Sequence, residues 1–208
     1  GKKFLESLSA HGFIGMALWE NGFRQLTNSA REVKAPGDMK GLKIRTMENP
    51  VHLASFKALG ANPTPMPFSE VFSAMQQKTI DGQENPSTTN FLQKFYEVQK
   101  FSTLTGHFYS PFVFMFSKKL FDTLPKEDQQ IILKAAQEAG VYERKVNRET
   151  MNEAVAGMQK AGMTVTKLTP DQQKAFMEAT KDIAKQFETE IGVDNVQAIR
   201  AEIAKYAK

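Results

Sequence analysis

Between Pro125 and about Gly162 the chain has no proline and hardly any strand-forming run, and no other stretch limits the fold as much. Ile132, Ala135, Ala136, Ala139, Val146, Val155 and Met158 keep a rough helical period there. A helix of about 38 residues would be about 57 Å long at the standard rise. That exceeds the diameter of a small domain. The helix is therefore expected either to cross between two lobes or to break near Gly140.

The first half has a different character. Residues 13–116 alternate short strand-like runs with short helices. Phe13–Trp19, Leu42–Met47 and Phe112–Phe116 are the runs, each bounded by Gly, Pro or Asn. Asn49 caps a helix with Pro50 at its first position and Gly60 beyond its end. A second helix is expected after Ser69, with Val71, Phe72 and Met75 as its apolar stripe. A third starts at Pro86-Ser87 and carries Phe91, Leu92, Phe95 and Val98. Strand, helix, strand repeated in this way predicts an α/β fold with a mostly parallel sheet and covering helices. Further on, Thr164–Leu168 reads as a strand. Thr169 and Pro170 open a last long helix with Phe176, Ala179, Ile183, Phe187 and Ile191 as its stripe, stopped by Gly192. The first eleven residues read as the tail of a helix already under way, so the chain is expected to begin inside a longer protein.

At 208 residues, 41% hydrophobic and 24% charged, the composition is that of an ordinary globular protein. The net charge of +4 comes from 27 basic and 23 acidic residues mixed along the chain. No basic block with interleaved aromatics stands out, so no nucleic-acid partner is expected. With no cysteine, disulfides, thiol nucleophiles and thiolate metal sites are excluded. No G-x-S-x-G elbow, H-E-x-x-H, P-loop or G-x-G-x-x-G occurs, and His11, His52 and His107 lack metal-ligand spacing. No catalytic residue, cofactor or metal is expected, and binding is the better default.

Two arginines carry the binding argument. Arg45 lies in a strand-like run just before the helix start at Asn49-Pro50, and Arg24 lies in Asn21-Gly-Phe-Arg24. A guanidinium at the carboxyl end of a strand faces the crevice where open α/β sheets take ligands. Its planar fork fits a carboxylate with two parallel hydrogen bonds. The plainer reading is a surface arginine paired with an acidic residue. Asn85, before Pro86, is pushed to an extended conformation at a strand end, or else makes an asparagine turn. Phe68 precedes a helix start, a partly exposed place, where a staple contact is the alternative. Trp19 and Tyr109 could reach a ligand or simply pack at strand ends.

Gly41-Leu-Lys-Ile-Arg45, Ala61-Asn-Pro-Thr-Pro-Met66, Phe68-Ser-Glu-Val71 and Asp81-Gly-Gln-Glu-Asn-Pro86 together resemble the ligand-binding protein of TRAP transporters, DctP branch. The likeness continues through Lys94–Val98, Tyr109-Ser-Pro111 and the long helix, so it spans nearly all of the chain. The resemblance implies a periplasmic-binding-protein-like fold of two α/β lobes around a cleft, here truncated, with a long inter-lobe helix. By that analogy residues 22–110 and 151–208 form the second lobe. Residues 1–21 and 111–150 form a remnant of the first lobe with the connecting helix. It also implies roles: Arg45 as the carboxylate clamp, Arg24 as a second arginine, Asn85 as an amide partner and Phe68 as an aromatic wall. The expected protein is a periplasmic monomer. It would capture a small organic acid, a C4-dicarboxylate first and a sugar acid (uronate or sialate) second, and deliver it to the membrane subunits of the transporter. A sensory ligand-binding module of the same fold is the remaining alternative.

Overall fold

The computed structural model describes residues 1–206. Its first half runs α1 (Lys2–Ser7), β1 (Phe13–Asn28), β2 (Lys43–Thr46), α2 (Pro50–Ala58), β3 (Asn62–Pro65), α3 (Val71–Gln76), β4 (Gly82–Pro86) and α4 (Ser87–Leu92). There follow β5 (Phe101–Leu104), β6 (Tyr109–Ser117), α5 (Lys118–Phe121), α6 (Lys126–Lys160) and β7 (Thr164–Lys167). The chain continues through α7 (Pro170–Thr180), α8 (Ile183–Gln186), α9 (Glu188–Ile191) and α10 (Val193–Ala204).

The strand order is β3-β2-β4-β1-β5-β7, with β6 pairing β1 off that path. The sheet is mixed rather than mostly parallel. β2 is parallel to both β3 and β4, whereas β1 is antiparallel to β5 and to β6. The reason is local: β5 and β6 are consecutive and run back along successive lengths of one long strand, so no crossover helix is needed. In the gap between them Arg24 donates its backbone N–H to the Phe108 carbonyl (2.8 Å), and the Gln25 side chain accepts from the Gly106 N–H (2.8 Å).

The chain divides into two compact units, residues 1–25, 85–97 and 106–165 in one and 26–84, 98–105 and 166–208 in the other. Against the lobe bounds expected from the sequence, 22–25, 85–97, 106–110 and 151–165 pack with the first unit.

In the first unit α6 is a single unbroken helix of 35 residues, and it lies wholly within that unit. The break near Gly140, one of the two alternatives expected, does not occur. A mid-helix glycine costs only about 1 kcal/mol relative to alanine, which packing readily outweighs. Here Gly140 makes room for Trp19: a Cβ would lie 3.0 Å from the indole Cδ1. Met16, Ala17, Phe95, Phe121, Ala136, Ala154 and Met158 form the buried core of the unit. The helix starting at Ser87 ends at Leu92 instead of running on through Val98, because Lys94 adopts a positive φ of 54°. Phe95 then enters the core from a short turn, while Leu92 stays exposed.

In the second unit, Asn49 Oδ1 accepts from the N–H groups of Val51 (2.9 Å) and His52 (3.2 Å), and Gly60 takes φ 84° past the end of α2. Ser69 does not cap the next helix: it sits inside a 3₁₀ turn, Phe68–Glu70, and α3 begins at Val71. Ile44, Phe56, Leu26, Val71, Met75 and Ile80 are buried here. Burying side chains of this size contributes about 1.5–3 kcal/mol each before entropy is counted. The last helix expected over 170–191 is three short ones. Thr169 does cap α7, accepting from the Gln172 N–H (3.3 Å), but Ala179 is exposed and the chain turns before Ile183. Those turns let α7 and α8 both reach α2, with Phe176 and Ile183 buried. A helical period cannot reveal such a break, because the stripe resumes in register.

Candidate functional site

In the second unit, Arg45 occupies the last turn of pleat in β2, opposite Thr64 of β3 and Gln83 of β4. Only 3% of it is exposed. Its Nε (2.9 Å) and Nη2 (2.6 Å) both donate to the Met66 carbonyl. A guanidinium taken out of water is costly unless charge-assisted hydrogen bonds replace hydration, and this backbone acceptor supplies two of them. It also sets the plane of the fork. Phe68, two residues beyond Met66, is 43% exposed at the head of the 3₁₀ turn. The side chain of Arg45 is interior rather than at the surface.

In the first unit, Arg24 is 2% exposed and its Nη2 donates to Asn85 Oδ1 (3.0 Å). Asn85 in turn has its backbone carbonyl fixed by Asn90 Nδ2 (3.1 Å), with Asn90 fully buried. With its oxygen turned to a cation, the amide of Asn85 is oriented by Arg24. The structure thus brings Arg24 and Asn85 together, two residues 61 apart in sequence.

Trp19 and Tyr109 have other surroundings. The indole N–H of Trp19 donates to the Ala136 carbonyl (3.4 Å), and its ring packs on Phe114 at 5.0 Å. That is packing against α6, although Trp19 also edges an open, mainly apolar groove of ≈530 Å³ with Leu92, Phe112 and Tyr142. Tyr109 donates its hydroxyl to Glu20 Oε2 (3.0 Å) and meets Phe23 edge-on at 5.2 Å.

Glu20 was not legible as a key residue. It is 6% exposed and anchors a polar cluster. Arg148 grips its carboxylate with Nε (3.0 Å to Oε1) and Nη2 (2.8 Å to Oε2). The backbone around it is held from α6 as well: Arg144 donates to the Leu18 carbonyl (2.9 Å), Asn147 to the Glu20 carbonyl (2.5 Å), and Glu143 accepts from the Glu20 N–H (2.9 Å). The cause lies in β1, whose register against β6 shifts between Glu20 and Gly22. Backbone groups left over by such an irregularity need partners, and the helix provides them. The spacing 143, 144, 147, 148 puts all four side chains on one helix face. That polar stripe was the available signal.

Arg148 beside it, and then the Tyr109 hydroxyl, hold the Glu20 carboxyl below the usual glutamate range, with burial working the other way. The Tyr109 phenol is pushed up by desolvation and by the same carboxylate. A carboxyl depressed in the folded state contributes stability that is fully present above its unfolded value of 4.5 and disappears as pH falls through the folded value. Glu20→Gln is therefore expected to be less stable than the parent at neutral pH, with the gap closing as pH drops below 4.5. Urea midpoints from pH 7 to pH 2.5 check this, and a gap that widens in acid contradicts it.

The sequence pattern of the DctP family, described as bacterial extracellular solute-binding protein, family 7, matches residues 1–190. The chain belongs to this family. Among curated relatives it is 43% identical over 206 residues to the 2,3-diketo-L-gulonate-binding periplasmic protein YiaO of Escherichia coli, covering 95% of this chain and 62% of that protein. It is 34% identical to the C4-dicarboxylate-binding periplasmic protein DctP of Rhodobacter capsulatus, covering 99% and 62%. Among solved structures, the sugar acid binding protein DctPAm of Advenella mimigardefordensis in complex with galactonate superposes with a TM-score of 0.95. That match has 40% identity and covers all of this chain and 67% of the other. The chain thus spans about three-fifths of the length of the curated DctP-family relatives it matches.

Proposed function

We propose that this chain is the greater part of an extracytoplasmic solute-binding protein that captures an organic acid and hands it to the membrane subunits of a TRAP transporter. The observation that carries the reading is Arg45, a buried guanidinium at the carboxyl end of a strand with its plane set by a backbone carbonyl. A guanidinium held in that plane would pair with a carboxylate through charge-assisted hydrogen bonds. Phe68, in the same unit, would be an apolar wall that excludes water, and the roles that the resemblance implies for Arg24 and Asn85 belong to the same proposal. No bond is made or broken. The two-lobe division expected from the sequence, and a periplasmic location, belong to the same proposal. No helix among the described residues is long and apolar enough to cross a membrane.

Within that reading a sugar acid is the favoured ligand class, supported by 43% identity to a diketogulonate-binding protein and 40% to one crystallised with galactonate. A C4-dicarboxylate, the class expected from the sequence, is the second reading, supported by 34% identity to DctP. Both ligands present the carboxylate that Arg45 would clamp. Calorimetric titration of the full-length protein with galactonate and with succinate separates them. One of the two should bind at a single site with about micromolar affinity, about 8 kcal/mol in total. Binding of neither, with turnover of either, would reject the proposal.

A further inference from the structure

The segment Asn62-Pro-Thr-Pro-Met-Pro67 places proline at every second position, and β3 is the outermost strand of the sheet order. Of the N–H groups that remain, two are seen to face inward: Asn62 donates to the Leu42 carbonyl (2.8 Å) and Met66 to the Thr46 carbonyl (3.4 Å). Prolines thus fall where the open edge would otherwise present unpaired donors, which blunts the edge. Edge protection does not account for Pro67, however, which lies beyond the paired residues 62–65. Pro67 has φ −56° and ψ 149°, the relaxed polyproline range. A following proline confines Met66 to extended conformations, and the preceding Pro65 fixes the chain entering it. Met66 is therefore clamped from both sides, and its carbonyl is the acceptor for both Arg45 donors.

We propose that Met66, held between Pro65 and Pro67, is the positioning residue for the ligand-binding arginine. Its carbonyl presets the plane of the Arg45 fork before any acid arrives, so the fork loses little freedom on binding. The same segment leads directly into Phe68, two residues beyond Met66. This inference rests on the reading of Arg45 as the carboxylate ligand. It adds the means by which the arginine is oriented.

The test uses the full-length protein with galactonate and succinate as probes, following whichever binds tighter. A proline that rigidifies a compatible segment typically changes its ordering cost by an amount equal to about a two- to fivefold equilibrium factor. Pro67→Ala should weaken binding by about that factor, and Pro65→Ala with Pro67→Ala by about tenfold. The penalty of Arg45→Lys should shrink correspondingly in the doubly substituted background, because a lysine has no plane to preset. In arginine-labelled ¹⁵N spectra the Arg45 Nε–H should exchange with solvent faster in Pro67→Ala than in the parent, a change that general loosening of β3 would not confine to that one signal. Unchanged affinity in both proline variants overturns the inference, as does an equal loss with and without Arg45→Lys. If Arg45→Lys alone costs no affinity, the functional reading of Arg45 fails and this inference with it. If Arg45→Lys costs affinity and the proline changes do not, only the positioning role is lost.

Discussion

Arg45→Lys in the full-length protein lowers affinity for the bound acid at least about tenfold, whereas a surface Arg→Lys exchange would be nearly silent. Three physical terms act together. A lysine retains one compact charge but cannot make two parallel hydrogen bonds to a carboxylate, and hydrogen bonds to charged groups contribute about 1.5–3 kcal/mol each. It also cannot reproduce the paired donation to the Met66 carbonyl at 2.9 and 2.6 Å, so the ammonium would have no preset direction. Finally, Arg45 is only 3% exposed, and burial favours loss of the proton from a lysine far more than from a guanidinium. Isothermal titration at pH 7 reads the effect, and an unchanged dissociation constant removes Arg45 from the site. Arg45→Ala goes further and should lower affinity by about a hundredfold or more, since two charged hydrogen bonds are lost.

Gly82→Ala should be the most damaging single methyl in the chain. A Cβ at Gly82 would lie 2.0 Å from the Thr27 carbonyl oxygen, 2.8 Å from Asn28 Cβ and 2.9 Å from Asn28 Cα. These are largely backbone atoms of the neighbouring strand, so no side-chain rotation relieves the clash. β1 and β4 would have to move apart, straining the buried bond from Gln83 Nε2 to Thr27 Oγ1 (2.8 Å) and that from the Ser29 N–H to the Asp81 carbonyl (2.9 Å). Overpacking of an interior typically costs about 1–3 kcal/mol, and a clash with backbone belongs at or above the top of that range. Urea unfolding measures it. Gly37→Ala is the control, with nothing within 4 Å of the added methyl, and should change stability by less than about 1 kcal/mol in either direction. Equal effects at the two positions would show that β1 and β4 can separate freely.

Gly82 also shows why parts of the chain could be read and others not. It belongs to the Asp81–Pro86 element that carried the family resemblance, yet its physical reason is a contact with Thr27, 55 positions away (82 − 27). Local chemistry was readable where the determinant was local. The Asn49 cap, the turn at Gly60, the cap at Thr169 and the strand at Thr164–Lys167 all follow from neighbours within four residues. The strand over Asn62–Pro65 was missed because prolines argue against a strand unless it lies at an edge, and edge position is a property of the whole sheet. The early stop of α4 and the division of α7, α8 and α9 were missed for a related reason. Apolar spacing reports which residues face a core, and it stays nearly in phase across a turn.

For the candidate site the same division holds. Residue type and place in strand-like runs singled out Arg24 and Arg45, and the family resemblance added Asn85 and the acid-holding roles expected of all three. Their local partners were not readable: Met66 lies 21 residues from Arg45, and Asn85 lies 61 from Arg24. The Glu20 cluster depends on side chains some 123 to 128 positions further along the chain. Amino-acid order dictated which elements form and what chemistry they carry. Folding settled which buried charge meets which acceptor, because hydrogen bonds act over about 3 Å of space and take no account of separation along the backbone.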